Sequence, residues 1–216
     1  MNAISYKQHP LDPQWDAIVI GFGIGGLAAA ALLAKHAGRK VLVLERHFTA
    51  GGYTHTFHRP GYEWDVGVHY IGQVHDASFQ VRRAFDHLTD GALEWNRMPD
   101  VYDRVVMDGR TYDFPSGTEH FRERMRRHFP GEAAAIDGYM KAVEASNRAS
   151  GLFWAEKAIP RPAAAIAGPL MRRPFLRWAD RTTAEVLRAM THNDELIGVL
   201  TAQWGDYGLP PSQSSF

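Results

Sequence analysis

Residues 15–21, WDAIVIG, form a short apolar, β-branched run that ends on glycine, the pattern of a strand buried in a parallel sheet. GFGIGG follows at 21–26, then LAAAALLAKHAG, rich in alanine and leucine, which predicts a helix stopped by Gly38. Residues 40–45, KVLVLE, predict a second buried strand that ends on an acid. Further along, residues 101–114 alternate around Asp108 and Gly109 and predict a hairpin. Residues 116–131 predict a helix with Ser116 or Thr118 near its start and Pro130 and Gly131 after its end. Helical patterns recur over 132–150, 183–190 and 193–204. The reading is an α/β chain with a nucleotide-type unit over 1–75 and a hairpin-plus-helix region over 76–216.

Between these blocks, EWDVGVHYIG at 63–72 breaks the simple pattern. An acid, two glycines and a histidine interrupt an aromatic, apolar run. Glycine weakens a strand interior and marks close approach of a ligand or of another backbone.

Composition narrows the picture. The 216 residues are 45% hydrophobic and 22% charged, ordinary for a globular chain. With 24 basic and 24 acidic side chains the net charge is zero, which gives no electrostatic footprint for nucleic acid; the run at 122–127, RERMRR, reads as a solvated helix face. No cysteine is present, so disulfides, thiolate nucleophiles and thiolate metal sites are excluded. Residues 1–14 are polar, contain Pro10 and Pro13, and do not read as a secretory leader. The longest apolar run, 27–34, is too short to span a bilayer. A cytoplasmic location is expected.

The first sixty residues carry candidate chemistry. Gly21 permits the tight turn, Gly23 lets the backbone approach a pyrophosphate, and Gly26 lets the helix close on the strand. Gly25 lies between them, and the helix-start amides face the phosphates. Glu45 follows Gly26 at about 20 residues, where a carboxylate accepts from a ribose diol; free ribose hydroxyls favour FAD or NAD over NADP. The choice between FAD and NAD stays open at this point.

A second glycine pair, Gly51 and Gly52, follows in TAGGYTHTF, and then comes DVGVHYIG. This succession resembles the flavin-dependent amine oxidase and phytoene desaturase superfamily. RHFTAGGYTHTF, DVGVHYIG and QWGDYGLPPSQSSF are closer to its retinol saturase and carotenoid isomerase branch, strongly over 15–73 and 195–216 and loosely between. The resemblance implies a Rossmann-like FAD-binding domain with an inserted α+β substrate domain. FAD would be held by Gly21, Gly23, Gly25, Gly26, Glu45, Arg46, Gly51, Gly52, Asp65 and Gly67, with NAD(P)H as a candidate separate electron donor. His69 and Tyr70 would lie near the isoalloxazine or at the edge of the substrate cavity, as candidate catalytic residues. His69 reads equally well as a hydrogen-bonded structural histidine. His55 and His58 lie near it in sequence, but the spacing is unlike a helical zinc motif, and no metal is expected.

The resemblance further implies an FAD-dependent oxidoreductase that saturates, desaturates or isomerises carbon–carbon double bonds in a lipid-soluble polyene or isoprenoid. Two rivals remain: a prenyl-lipid-binding protein of this architecture without flavin, and an NAD-dependent dehydrogenase. Proteins of the family are expected to be about twice as long, with a further glycine-containing element that completes the flavin site. Nothing like it precedes Phe216, so the chain is expected to be an N-terminal portion that leaves apolar surface uncovered.

Residues 151–178 mix Leu, Phe and Trp with Arg161, Arg172, Arg173 and Arg177. Pro160, Pro162, Pro169 and Pro174 would break any single long amphipathic helix and favour ordinary core helices. The composition also suits peripheral membrane contact or the mouth of a cavity for a lipid-soluble substrate.

Overall fold

The computed structural model describes residues 5–7 and 10–216. The polar stretch read over 1–14 therefore lies partly outside the described residues. The chain divides into two compact units, one ending at Arg97 and the other spanning Met98–Phe216. That division falls beyond the boundary expected after residue 75.

In the first unit, β1 (Ala17–Ile20), α1 (Ile24–Ala37) and β2 (Val41–Leu44) form the expected βαβ. The strands are parallel, with Ala17 opposite Val41 and Ile20 opposite Leu44. Gly21 N extends the ladder by donating to Leu44 O at 2.7 Å. Gly38 ends α1 in the left-handed region, φ 59°, with its amide on Leu33 O. A single 3₁₀ turn, Gly52–Thr54, leads into an antiparallel pair, β3 (Thr56–Arg59) and β4 (Tyr62–Asp65). Helix α2 (Gln80–Thr89) then packs on α1. Lys35 pairs with Asp90, and the Nε2 atoms of His36 and His87 lie 2.8 Å apart.

One expectation fails here. The strands read as buried are only half covered, and Ile18 and Ile20 are 58% and 87% exposed. A parallel strand is buried when helices cover both faces of its sheet. This sheet has two strands and packs on α1.

The second unit opens with the expected hairpin, β5 (Val101–Met107) and β6 (Arg110–Pro115). Asp108 and Gly109 take φ 49° and 76°, the paired left-handed values of a tight hairpin turn. The helices are α3 (Thr118–His128), α4 (Ala133–Ala158), α5 (Arg161–Ala179), α6 (Thr183–Arg188), α7 (Asp194–Leu200) and α8 (Trp204–Tyr207). Tyr112, Phe114, Met125, Phe129, Ile136 and Leu196 form the core beneath the hairpin. Tyr112 also donates from its hydroxyl to Glu195, whose two carboxylate oxygens both accept from Arg110. Residues 210–216 strap across the start of α6: Thr183 N donates to Ser214 O at 2.9 Å, and Phe216 N to Arg181 O at 3.0 Å.

Three details depart from the sequence reading. Gly117, not Ser116 or Thr118, stands at the N-cap of α3, and its φ of 93° explains why glycine is used there. Helix α4 continues to Ala158 rather than stopping near Ser150. Pro160 and Pro162 do fall at the break between α4 and α5, but Pro169 and Pro174 lie inside α5. Packing along α4 holds α5 together where backbone hydrogen bonds are lost. Nor is α5 an ordinary core helix, because Ile166 and Leu170 face solvent.

Candidate functional site

The site is built around the turn between β1 and α1. Gly21 has φ 101°, the conformation that lets the chain reverse from strand to helix. Gly26 sits in the first turn of α1. A Cβ there would collide with Gly21 O and lie 3.4 Å from Val19 Cγ1, so only glycine lets the helix close on its strand. Gly25 is different, since a Cβ on it would meet nothing within 4 Å. Helix α1 has no side-chain cap and no acid in its first turn. In contrast, Thr182 caps α6 and Asn193 caps α7. The first-turn amides of α1 and the open space at Gly25 therefore fit an anionic diphosphate, which accepts from such donors.

Glu45 closes the turn from the side. Phe22 N donates to Glu45 Oε2 at 2.6 Å, and His47 N donates to Oε1 at 2.8 Å. The His47 amide, then the Phe22 amide, hold this carboxyl below the usual carboxylate range. Each oxygen keeps a further lone pair, so the carboxylate can still accept from a sugar hydroxyl. Arg46 is exposed beside it.

The second glycine pair packs directly on the first. Gly51 N donates to Phe22 O at 2.8 Å, and Gly23 and Gly51 form a parallel bridge. Gly51 and Gly52 take φ 117° and 58°. A Cβ on Gly52 would stand 3.0 Å from Gly23 Cα. The backbone of Phe22 is thus held on both sides, by Glu45 at its amide and by Gly51 at its carbonyl. Sequence reasoning had no access to Phe22 as a partner, because its part is played by the backbone.

Residues 65–70 join the same assembly through Tyr53. Asp65 ends β4 opposite Thr56. Val66 N donates to His55 O at 3.1 Å and Val68 N to Tyr53 O at 2.9 Å. A Cβ on Gly67 would stand 3.0 Å from Tyr53 Cδ1 and 3.1 Å from Tyr53 O. The close approach marked by this glycine is therefore to Tyr53. That residue was not singled out in the sequence; its position directly after the glycine pair was the available signal.

His69 Nδ1 lies 2.9 Å from Gly67 O, and its ring meets Tyr70 edge-on at 4.8 Å between centroids. A carbonyl only accepts, so this contact assigns a proton to Nδ1 and leaves Nε2 for a further partner. His55 and His58 have separate neighbours: His55 Nδ1 meets Gly52 O, and His58 Nδ1 lies 3.8 Å from Glu63. Among the described residues, no group of three His, Cys, Asp or Glu side chains is placed to hold a metal ion.

Comparison with known proteins agrees with this geometry. A family model described as an NAD(P)-binding Rossmann-like domain matches residues 19–88, which contain the whole assembly. The all-trans-retinol 13,14-reductase of Danio rerio is 39% identical over 212 residues, covering 93% of this chain and 34% of the relative. The Homo sapiens all-trans-retinol 13,14-reductase is 38% identical over 223 residues, covering 100% of this chain and 36% of the relative. The chloroplastic prolycopene isomerase of Daucus carota is 54% identical over 54 residues, covering 25% of this chain and 9% of the relative. The chain spans about a third of the length of the reductases it matches, not the half expected from sequence. The resemblance read from the glycine motifs is borne out: the chain is similar to all-trans-retinol 13,14-reductases over nearly its whole length, and residues 19–88 match an NAD(P)-binding Rossmann-like domain.

Proposed function

We propose that the chain forms part of an FAD-dependent oxidoreductase acting on carbon–carbon double bonds of a lipid-soluble polyene or isoprenoid. The observation that carries this reading is the joining of three elements into one assembly: the Gly21–Gly26 turn, the Gly51 and Gly52 turn, and residues 65–70. A dehydrogenase that binds NAD alone needs only the first. Similarity to a retinol reductase and a prolycopene isomerase supports the class of substrate.

In this reading the α1 amides and Gly21, Gly23 and Gly25 hold the diphosphate, while Gly26 fixes helix to strand. Glu45 accepts from the ribose and Arg46 flanks it. Gly51, Gly52, Asp65 and Gly67 line the remainder of the cofactor. Bound FAD supplies hydride transfer at its N5. His69 orients through Gly67 O and presents Nε2 for proton movement at the substrate edge, with Tyr70 against its ring. Residues 1–75 belong to the cofactor domain, and 76–216 to the substrate region. Peripheral membrane contact through 151–178 completes the proposal.

One observation favours a second reading: the matching family model is of the NAD(P)-binding type. The two separate by releasing the cofactor from purified protein with heat and identifying it by mass. FAD supports the proposal, with NAD(P)H then tested as a separate donor. NAD alone supports a dehydrogenase. A bound prenyl lipid with no dinucleotide supports a non-catalytic binding protein and sinks the oxidoreductase reading.

A further inference from the structure

Three hydrogen bonds in the first unit run in series between the second glycine pair and His69. Thr54 N donates to Gly51 O at 3.1 Å, Val68 N donates to Tyr53 O at 2.9 Å, and His69 Nδ1 lies 2.9 Å from Gly67 O. Tyr53 O and Thr54 N belong to one peptide, and Gly67 O and Val68 N belong to another. Each of these peptides therefore accepts on one side and donates on the other, and every donor points back toward Gly51. Gly51 is in turn tied to the first glycine turn, through its own amide on Phe22 O at 2.8 Å.

Peptides hydrogen-bonded in series polarise one another, so the chain is stronger than its separate links. Crowding also holds the joint where the two peptides meet. A Cβ on Gly67 would stand 3.1 Å from Tyr53 O, the acceptor of the middle bond, and 3.0 Å from Tyr53 Cδ1. Gly67 does not take a left-handed φ. The demand for glycine here is therefore set by Tyr53 and not by the backbone conformation. At the far end of the chain the His69 ring is exposed, and its edge contact with Tyr70 leaves Nε2 open.

We propose that this chain of peptides sets the tautomer and the aim of His69, so that Tyr53 and Gly67 are positioning residues that transmit the shape of the glycine turns to the imidazole. The hydrogen bond made by one ring nitrogen decides which nitrogen carries the proton. A free imidazole favours the proton on Nε2. Holding it on Nδ1 needs an acceptor fixed in place, and Gly67 O is that acceptor. No proton travels along the peptides; they carry orientation and polarity. The inference rests on the reading of His69 as the group that presents Nε2 to the substrate, yet it concerns the ring before substrate or flavin is bound.

The test uses the full chain with isotope-labelled histidine and no added cofactor. Long-range nitrogen–proton correlations of the ring report the tautomer at about pH 8.5, where imidazole is neutral. The His69 signals are those missing from His69→Gln. The parent is expected to show the Nδ1–H form. Gly67→Ala should push Tyr53 O off Val68 N, raise Val68 amide exchange about tenfold, the worth of one lost hydrogen bond, and shift His69 toward Nε2–H. Gly52→Ala drives a methyl toward Gly23 Cα at the other end of the chain and should shift it the same way. Tyr53→Phe keeps both carbonyl and ring and should match the parent. Gly61→Ala strains the β3–β4 turn, where φ is 79°, without touching the chain, and should leave the tautomer unchanged. An Nε2–H or mixed tautomer in the parent overturns the proposal before any variant is made. So does a Gly67→Ala chain that keeps the parent's tautomer, whether or not Val68 exchanges faster, or a Gly61→Ala chain that shifts it equally. Loss of the catalytic reading looks different: turnover per flavin survives in His69→Ala while the tautomer results stand.

Discussion

Phe22 donates its backbone amide to Glu45 Oε2 at 2.6 Å. The acid at the end of the second strand thus grips the glycine turn at the end of the first, before any ligand is considered. Gly51 takes the other side of the same residue, donating to Phe22 O at 2.8 Å. The carboxylate proposed to accept from a ribose is also the latch that sets the shape of the glycine turn.

That latch makes stability depend on pH in a defined direction. Glu45 has a lowered pKa in the folded chain, mainly through the amides of His47 and Phe22. Its contribution is present above the unfolded carboxylate range, about pH 4, and is lost as pH falls through the lowered folded value. Glu45→Gln should therefore melt below the parent at neutral pH. The gap should close on acidification, when the parent's own carboxyl is protonated. Melting curves across that range check this, and a gap that stays constant with pH would show that the charge of Glu45 does not stabilise the turn.

Neighbouring glycines should respond in opposite ways. Gly25→Ala adds a methyl to open space in the first turn of α1. It should be neutral or stabilising by up to about 1 kcal/mol, while weakening dinucleotide binding if that space takes the diphosphate. Gly26→Ala drives a methyl into Gly21 O and should cost about 2 kcal/mol or more. Denaturant titration of the two variants, read with the parent, separates the packing glycine from the open one.

The βαβ unit was legible because its signals are local: two apolar runs, glycine where φ is positive or a Cβ has no room, and an acid at a fixed interval. The Asp108 and Gly109 hairpin was legible for the same reason. What escaped notice depended on contacts distant in sequence. Nothing in GFGIGG announces that Phe22 will be bracketed by Glu45 and Gly51. Nothing in DVG announces that Tyr53 will fill the space beside Gly67. Prolines 169 and 174 argued for broken helices, yet α5 passes through both because packing along α4 outweighs two missing hydrogen bonds. Ile18 and Ile20 read as buried because a run of β-branched residues usually is; exposure depends on what covers the sheet, which no local pattern encodes.

In the second unit, the start of α6 is fixed by a reciprocal pair. Thr182 Oγ1 accepts from Glu185 N at 3.2 Å, and Glu185 Oε2 accepts from Thr182 N at 2.7 Å. Thr182→Ala removes one half and should lower stability by about 1 kcal/mol. Thr182→Ser keeps the acceptor and should restore most of the loss. Chemical denaturation of both variants tests this; equal losses would assign the effect to the threonine methyl rather than to the cap.

His69 and Tyr70 are the residues proposed to act at the reacting centre. The Nδ1 contact with Gly67 O fixes the ring and leaves Nε2 as the atom that can exchange a proton. A histidine that only braces the loop and one that moves a proton differ in what their loss does. If His69 moves a proton, His69→Ala should lower turnover of the flavin-loaded enzyme by about 10²–10⁴-fold, the usual worth of a positioned acid or base. Cofactor content and melting temperature should stay near the parent's, because His69 lies beyond the glycine contacts that hold the site together. If it only braces the loop, the order reverses: melting temperature and cofactor retention fall, and turnover per bound flavin is kept. Tyr70→Phe sharpens the comparison, since it keeps the ring packed against His69 and removes only the hydroxyl. A drop in turnover for both variants with flavin retained would place the pair at the reacting centre. Unchanged turnover per flavin in His69→Ala would return His69 to the scaffold.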